Sequence, residues 1–272
     1  MKNADFPMTW EQAVQWLRAQ PRQESLVKAC YFDDPLSTAA HRYYTEPEWQ
    51  ALRVLLPDKL GIALDVGAGR GISSYALAVD GWQVTALEPD PSPLVGAAAI
   101  RRLSKERGMD IRVVEETGER LPFPDASFDL VHARQVLHHA RDLPLFCREV
   151  ARVLKPGGML FATREHVIDG PDDKEVFLAS HPLHKLYGGE NAFLLLEYRA
   201  AFVAAGLKLV KEFSPWETPI NYFPATYIDV RGQAAKRLRW PWPRLLPRWT
   251  IALVSRNMHD PGRLYTFICK KG

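Results

Sequence analysis

LDVGAGRG, residues 64–71, sets three glycines at alternate positions behind an apolar run that ends in Asp65. Glycine lets backbone approach a ligand, and free amides at a helix N-terminus attract anionic or polar groups, so Gly67, Ala68 and Gly69 predict a turn that cradles one. Glu88, followed by Pro89 in LEPD, comes about 20 residues later at the end of the next apolar run, where a carboxylate can accept both hydroxyls of a ribose. A carboxylate there argues for an unphosphorylated ribose. The dinucleotide pattern G-x-G-x-x-G is not met, because Ile72 stands where its last glycine would fall.

Groups suited to proton transfer gather further along: His132, His138 and His139, then Glu165 and His166 in REH. HPLHKLYGGENAF, residues 181–193, adds His181, His184, Tyr187, Glu190 and Asn191 around a glycine pair. It is too polar for a core strand, and reads as either a substrate loop or a surface turn capping the next helix. His132, His138, His139 and His166, with Glu165 or Asp169, are ligands of the right type for a metal, yet their spacing matches no recognised pattern. The expectation is no metal.

These groups need a scaffold that brings them to one edge. Between residues 61 and 164, apolar or β-branched runs alternate with helical patterns, from GIALDV through WQVTALE, IRVVE and FDLVHA to GGMLFATRE. That order predicts a doubly wound α/β core with a parallel sheet, whose ligands bind at the carboxyl ends of the strands. Pro91 or Pro93 is expected in a first helical turn, Gly108 at a helix end and KPGG, residues 155–158, as a turn into a strand. KLVKEF and RLYTFICK are expected to pair at one side of the sheet. Residues 1–57 read as several short helices with an apolar stripe of Trp10, Val14, Trp16 and Leu17. Three stretches depart from the core pattern, 1–57, 165–192 and 215–262, and they are the expected cover of the substrate chamber.

Composition bounds the rest. The 272 residues are 47% hydrophobic, enough for a substantial core, and the apolar runs break well before the roughly 18 residues that a membrane span needs. The N-terminus lacks the order of a secretory signal, so the expected location is the cytoplasm. Cys30, Cys147 and Cys269 are unpaired in spacing and read as packing residues. No acidic residue occurs from 230 to 259, where Arg231, Lys236, Arg237, Arg239, Arg244, Arg248 and Arg256 add seven positive charges. Of 35 basic residues the rest of the chain keeps 28 against 32 acidic ones, a net of −4. Within this basic stretch KRLRWPWPRLLPRWTIALVSR, residues 236–256, interleaves arginine with Trp240, Trp242 and Trp249. The combination suits a peripheral contact with a lipid surface. The alternative is a cap whose tryptophans pack on the core. Nucleic acid is disfavoured, because the basic residues are confined to one insertion and HARQVL lacks an Asn-Pro-Pro-Tyr type of element.

LDVGAGRG, ALEPD, ERLPFPDASFDLVHARQVLHH and REVARVLKPGGML together resemble, in order and spacing, the class I S-adenosylmethionine-dependent methyltransferases, particularly the ubiquinone/menaquinone type. The resemblance covers roughly residues 60–165 and implies a Rossmann-like, mostly parallel seven-stranded sheet with an antiparallel last strand. Residues 58–272 would form this domain, under a helical N-terminal lid and with insertions at 165–192 and 215–262. It also implies that Asp65, Gly67, Ala68 and Gly69 hold the methionine end of S-adenosylmethionine, with Glu88 and Pro89 at the ribose. TGERLPF would lie against adenine, with Thr117 and Gly118 where many family members carry an acidic residue, and Arg134 and Gln135 would line the methyl-transfer site. Tyr43 and Tyr44 are candidates for a lid over the methionine end. A hydroxyl or acidic-carbon acceptor would draw on a base among His138, His139, Glu165 and His166, and the acceptor would meet His184, Tyr187 and Asn191. The function so implied is methyl transfer to a small molecule or biosynthetic intermediate, with an anionic or lipid-linked acceptor as one form. A noncatalytic relative that binds the same nucleoside for regulation or assembly remains the alternative; a nicotinamide oxidoreductase is disfavoured.

Overall fold

In the computed structural model, which describes residues 6–272, the alternating pattern becomes one sheet with helices on both faces. The strands are β1 (Ile62–Val66), β2 (Gln83–Leu87), β3 (Ile111–Val114), β4 (Phe128–Arg134), β5 (Leu154–Ile168), β6 (Phe193–Leu194), β7 (Leu207–Phe213) and β8 (Arg263–Lys271). Their order is β3-β2-β1-β4-β5-β8-β7, with the two-residue β6 added beside β5. β8 runs antiparallel to both β5 and β7, and the remaining pairings are parallel. The main path therefore has the expected seven strands with an antiparallel last one. Leu64, Val66, Leu87, Val131 and Leu160 are almost wholly buried, as strands covered on both faces require.

Four short helices precede β1: α1 (Trp10–Arg18), α2 (Glu24–Ala29), α3 (Leu36–Thr45) and α4 (Pro47–Arg53). The first five residues of the expected lid lie outside the described residues. α1 starts at a capping box between Thr9 and Gln12 and buries Ala13, Val14 and Leu17, while Trp16, expected in the apolar stripe, is exposed. α3 and α4 put Leu36, Tyr43, Trp49 and Leu52 into one core with α5 (Ile72–Val79) and α6 (Ala97–Arg107). On the opposite face α7 (Leu143–Val153) and α10 (Leu195–Ala204) pack Phe146, Val150, Tyr198 and Phe202 against the sheet, with Cys147 and Cys269 buried among them.

α6 starts at Ala97, later than Pro91 and Pro93 suggest. The loop from Glu88 folds back so that the Ala97 amide donates to the Asp90 carbonyl at 2.7 Å, and a side chain at Gly96 would meet that carbonyl at 2.0 Å. Gly108 ends α6 at φ +61, as its position predicts. KPGG is a bulge within β5, where Gly157 takes φ +77 and the register to β4 jumps between Phe128 and Leu130. The two late insertions are helical: α8 (Pro171–Ser180) and α9 (His184–Tyr187) in the first, α11 (Pro219–Tyr222), α12 (Tyr227–Arg237) and α13 (Arg248–Arg256) in the second. The second has its own small core of Trp216, Val230, Ala234, Leu246, Ile251 and Met258. Among the described residues no helix is long and apolar enough to cross a membrane.

Candidate functional site

β1 ends at Val66 and α5 begins at Ile72, so five residues make the whole turn between them. Gly67, Gly69 and Gly71 adopt φ of +61, +55 and +83, which side chains resist. Gly67 is also hemmed in, because a Cβ there would lie 2.6 Å from the Val136 side chain. Above Gly69 the space is open, with nothing nearer than the Val95 carbonyl at 3.9 Å. Glu88 brings its carboxylate to this turn. One oxygen accepts from the Gly69 amide at 2.7 Å and the other from the Asp90 amide at 2.9 Å. Burial pushes the carboxyl up to about 7, against the pull of those two amides. Ala68 faces inward and donates its amide to the Leu87 carbonyl, whereas Pro89 is exposed beyond the strand end.

Asp65 stands under the turn rather than in its mouth. Its oxygens accept from Ser74 Oγ at 2.6 Å and meet His132 Nδ1 at 3.0 Å, and the carboxylate is buried. It fixes the start of α5 and the neighbouring strand, so any grip on a ligand is through the backbone it holds. Thr117 is half-buried behind β3 and takes the Glu116 carboxylate on its own amide. Gly118 is pinned by packing, since a Cβ would lie 2.0 Å from the Phe146 ring. Arg152 clasps the rest of this loop through the Leu121 and Phe123 carbonyls.

Arg134 and Gln135 follow β4, but the Arg134 guanidinium is already committed. It forks onto Glu48 of α4 at 2.5 and 3.0 Å, between the faces of Tyr31 and Tyr43. Glu48 is fully buried, and the nearby Arg134 and Arg164 charges hold it below the usual carboxylate range despite desolvation. Gln135, at φ +58, spends its side-chain oxygen on Arg134. Tyr43, expected as a lid residue, is buried in the core beside Trp49, and Tyr44 reaches Asp80. Both correct the expectation, since the Tyr43 ring is part of the core and the Tyr44 hydroxyl is engaged at the end of α5. Arg70 was not singled out in the sequence. Its buried guanidinium leaves the glycine turn to bond the Tyr31 and Asp33 carbonyls and Asp34, tying the N-terminal helices to that turn.

Past Arg134 the chain makes a 3-10 turn, Leu137–His139, and β5 breaks register with β8 between Ala162 and Glu165, with Arg164 at φ +59. This bulge turns Glu165 under the 3-10 turn. Its wholly buried carboxylate accepts from the Val136 amide at 3.1 Å and the His138 amide at 3.0 Å, and meets His138 Nδ1 at 2.7 Å. With its oxygens so taken, Glu165 is a positioning group and not the base the sequence suggested. Burial drives His138 well below the usual imidazole range and His166 down to about 3. Neither is poised to take a proton near neutral pH. His139 is exposed, with Nδ1 2.7 Å from the Gly189 carbonyl.

HPLHKLYGGENAF folds as α9 and the turn after it. Tyr187 lies against Trp10 of α1 and donates its hydroxyl to Glu190, and His184 sits edge-on to Phe6, so the loop is fastened to the N-terminal segment. His184 Nδ1 and Asn191 Oδ1 are buried without a hydrogen-bond partner. Glu190 and His181, read from the sequence only as members of this loop, join His138, His139 and His166. A cleft of about 270 Å³ opens between the second insertion and the start of β8, lined by Trp216, Tyr222, Met258, Gly262 and Arg263. Gly262 is also the residue whose carbonyl holds His166 Nδ1, at 2.7 Å.

Residues 64–162 match the family model described as a methyltransferase domain. An uncharacterized methyltransferase of Bacillus subtilis (strain 168), YcgJ, is 30% identical over 177 residues, 64% of this chain and 66% of that protein. The ubiquinone biosynthesis O-methyltransferase of Xanthomonas campestris pv. campestris (strain B100) is 40% identical over 116 residues, 42% of this chain and 46% of its own length. The chain thus spans between about half and two thirds of these relatives. The fold is that of geranyl diphosphate methyltransferase in complex with SAM, with a TM-score of 0.59 at 14% identity over 98% of this chain and 97% of the other.

Proposed function

Since the chain belongs to the class I S-adenosylmethionine-dependent methyltransferases, we propose that it moves the sulfonium methyl of that cofactor onto a small-molecule or biosynthetic-intermediate acceptor. The observation that carries this reading is the Glu88 carboxylate, 2.7 Å from the Gly69 amide at an open turn whose glycines take positive φ. Glu88 retains lone pairs for two ribose hydroxyls, Gly67 and Gly69 offer backbone to the methionine end, and Thr117 and Gly118 flank the adenine side. The bound cofactor supplies an activated methyl group for in-line displacement. The protein's part is alignment and exclusion of water, worth up to roughly 7 to 11 kcal/mol in well-oriented systems. The helices tied down by Arg70 and the α9 loop tied to Trp10 form the cover that excludes it.

Calorimetric titration with S-adenosylhomocysteine and NADH tests the cofactor, with binding of the first and not of the second expected. Formation of S-adenosylhomocysteine from S-adenosylmethionine with hydroxyl-bearing acceptors then separates an enzyme from a noncatalytic binder. The name of the Xanthomonas relative makes oxygen the first acceptor to try.

We propose in addition that the acceptor is anionic or lipid-linked and is met at a membrane surface. Trp240, Trp242, Trp249 and Leu245 are 43, 63, 69 and 68% exposed. Rings this exposed support a surface contact over a cap whose tryptophans pack on the core. Pelleting with vesicles of anionic and of zwitterionic lipid tests this proposal: salt-sensitive binding to the former is expected, lost in W242A/W249A, and absence of binding at low salt would end it.

A further inference from the structure

Four imidazoles converge on one carboxylate where β4 and β5 end. His138 and His139 come from the 3-10 turn, His166 from β5, His181 from the residue after α8, and Glu190 from the turn after α9. Ligand-type atoms of His138, His139 and Glu190 lie within 4.8 Å of one another, and so do those of His166, His181 and Glu190. The ring centroids of His138 and His166 are 4.7 Å apart, so the two groups form one cluster around a shared carboxylate.

Three of the rings are held by the nitrogen that faces away. His138 Nδ1 lies 2.7 Å from Glu165, His139 Nδ1 2.7 Å from the Gly189 carbonyl and His166 Nδ1 2.7 Å from the Gly262 carbonyl. A carbonyl only accepts, so Nδ1 carries a proton in His139 and His166, and Nε2 is the nitrogen each ring has to offer an ion. A carboxylate or carbonyl on the second nitrogen is how metal-binding histidines are oriented. The glycine pair serves the same arrangement. Gly189 lies so close to the Tyr187 ring that a Cβ would meet it at 2.1 Å, and this tight turn presents both the Gly189 carbonyl and Glu190.

The inner atoms are not bonded to each other. Glu190 stands 3.8 Å from His138 Nε2 and 3.7 Å from His181 Nε2, beyond hydrogen-bond reach. Two ligands about 2.1 Å from a tetrahedral ion are about 3.4 Å apart, so a small inward movement suffices. His181 Nδ1 is buried without a partner, so this ring has a nitrogen that no protein group claims. A donor set dominated by imidazole excludes magnesium and calcium, which take oxygen ligands, and suits zinc and its neighbours.

We propose that Glu190, with His138, His139, His166 and His181, binds a divalent transition-metal ion of the zinc class. The sequence-level expectation of no metal is thereby replaced, and the proposal stands independently of the methyl-transfer reading. Untagged protein, treated with a chelator and dialysed, is titrated with cobalt(II) while visible absorption is followed, and then with zinc(II). The expected result is a saturable d–d band at an equimolar ratio, abolished by zinc. E190Q and H181A should each weaken cobalt binding at least about 100-fold, and E165Q, which frees the outer face of His138, about 10- to 100-fold. H259A, which removes an exposed histidine outside the cluster, should bind as wild type. Unchanged circular dichroism and thermal unfolding would show that a weakened variant is folded; if E190Q is not, H181A decides. No saturable band in the wild type, or equal binding in H181A and wild type, overturns the proposal.

Discussion

Replacing Glu88 by glutamine removes a carboxyl that burial has pushed up to about 7 from an ordinary 4.5. The folded protein therefore holds this proton more tightly than the unfolded chain does, and ionisation works against folding. The cost is absent below about pH 4.5, grows through the interval up to about pH 7 and levels off above it at about 3 kcal/mol. Glutamine has no such dependence, although its amide group faces the Asp90 amide, another donor, and loses that bond at any pH. Unfolding by urea at about pH 5 and about pH 8 should thus show wild type losing about 2 to 3 kcal/mol relative to E88Q between the two. The same carboxylate has to be charged to receive ribose hydroxyls. S-adenosylhomocysteine affinity in the wild type should accordingly be about tenfold weaker at pH 6 than at pH 8, and weak at both in E88Q. A stability difference that does not move with pH would mean that the carboxyl is not buried at the glycine turn. Equal affinity of E88Q and wild type at pH 8 would remove Glu88 from the site.

Glu48→Gln leaves Arg134 and Arg164 without a buried counter-charge and should destabilise the protein by about 3 to 5 kcal/mol, read from thermal or urea unfolding. Gly118→Ala drives a methyl into the Phe146 ring and should cost about 1 to 3 kcal/mol by the same measurement. Arg70→Ala unties the glycine turn from the Tyr31–Asp34 segment; limited proteolysis should then cut within residues 19–35 faster than in wild type, with weaker S-adenosylhomocysteine binding.

The fold was legible because its signals are local and periodic. The five-residue run into Gly67, the left-handed turns at Gly71 and Gly108 and the alternation of strand and helix each follow from short-range sterics and burial. The place of Glu88 was legible for the same reason, since a residue at the end of β2 must lie beside the turn at the end of β1. The commitments of side chains were not legible. Arg134 meets Glu48 across 86 positions of sequence, and Asp65 meets His132 across 67, contacts that no local pattern encodes. The histidine cluster is the extreme case, drawn from the 3-10 turn, β5 and two loops, with Glu190 aimed by a glycine pair whose role appears only once Tyr187 is in place. The exposure of Trp242 and Trp249 was likewise open, because their stretch is broken by Pro241, Pro243 and Pro247 and has no period to assign a face.

Val136 connects the two halves of the sheet's carboxyl edge. Its side chain lies where Gly67 has no room for a Cβ, and its amide is held at 3.1 Å by Glu165, the carboxylate that also orients His138. The floor of the proposed cofactor turn and the wall of the histidine cluster are therefore parts of one rigid unit, with the β5 bulge supplying the carboxylate that joins them. Rigidity here has an electrostatic consequence. Glu88 and Asp65 keep acidic groups on the β1–β2 side, while the β4–β5 side carries His138 and His166, two imidazoles that burial keeps neutral. Such imidazoles are poor proton acceptors near neutral pH but good electron-pair donors to an ion. A cation bound there would stand at the same sheet edge as the cofactor turn, which is why the metal titration bears on the chemistry as well as on the architecture.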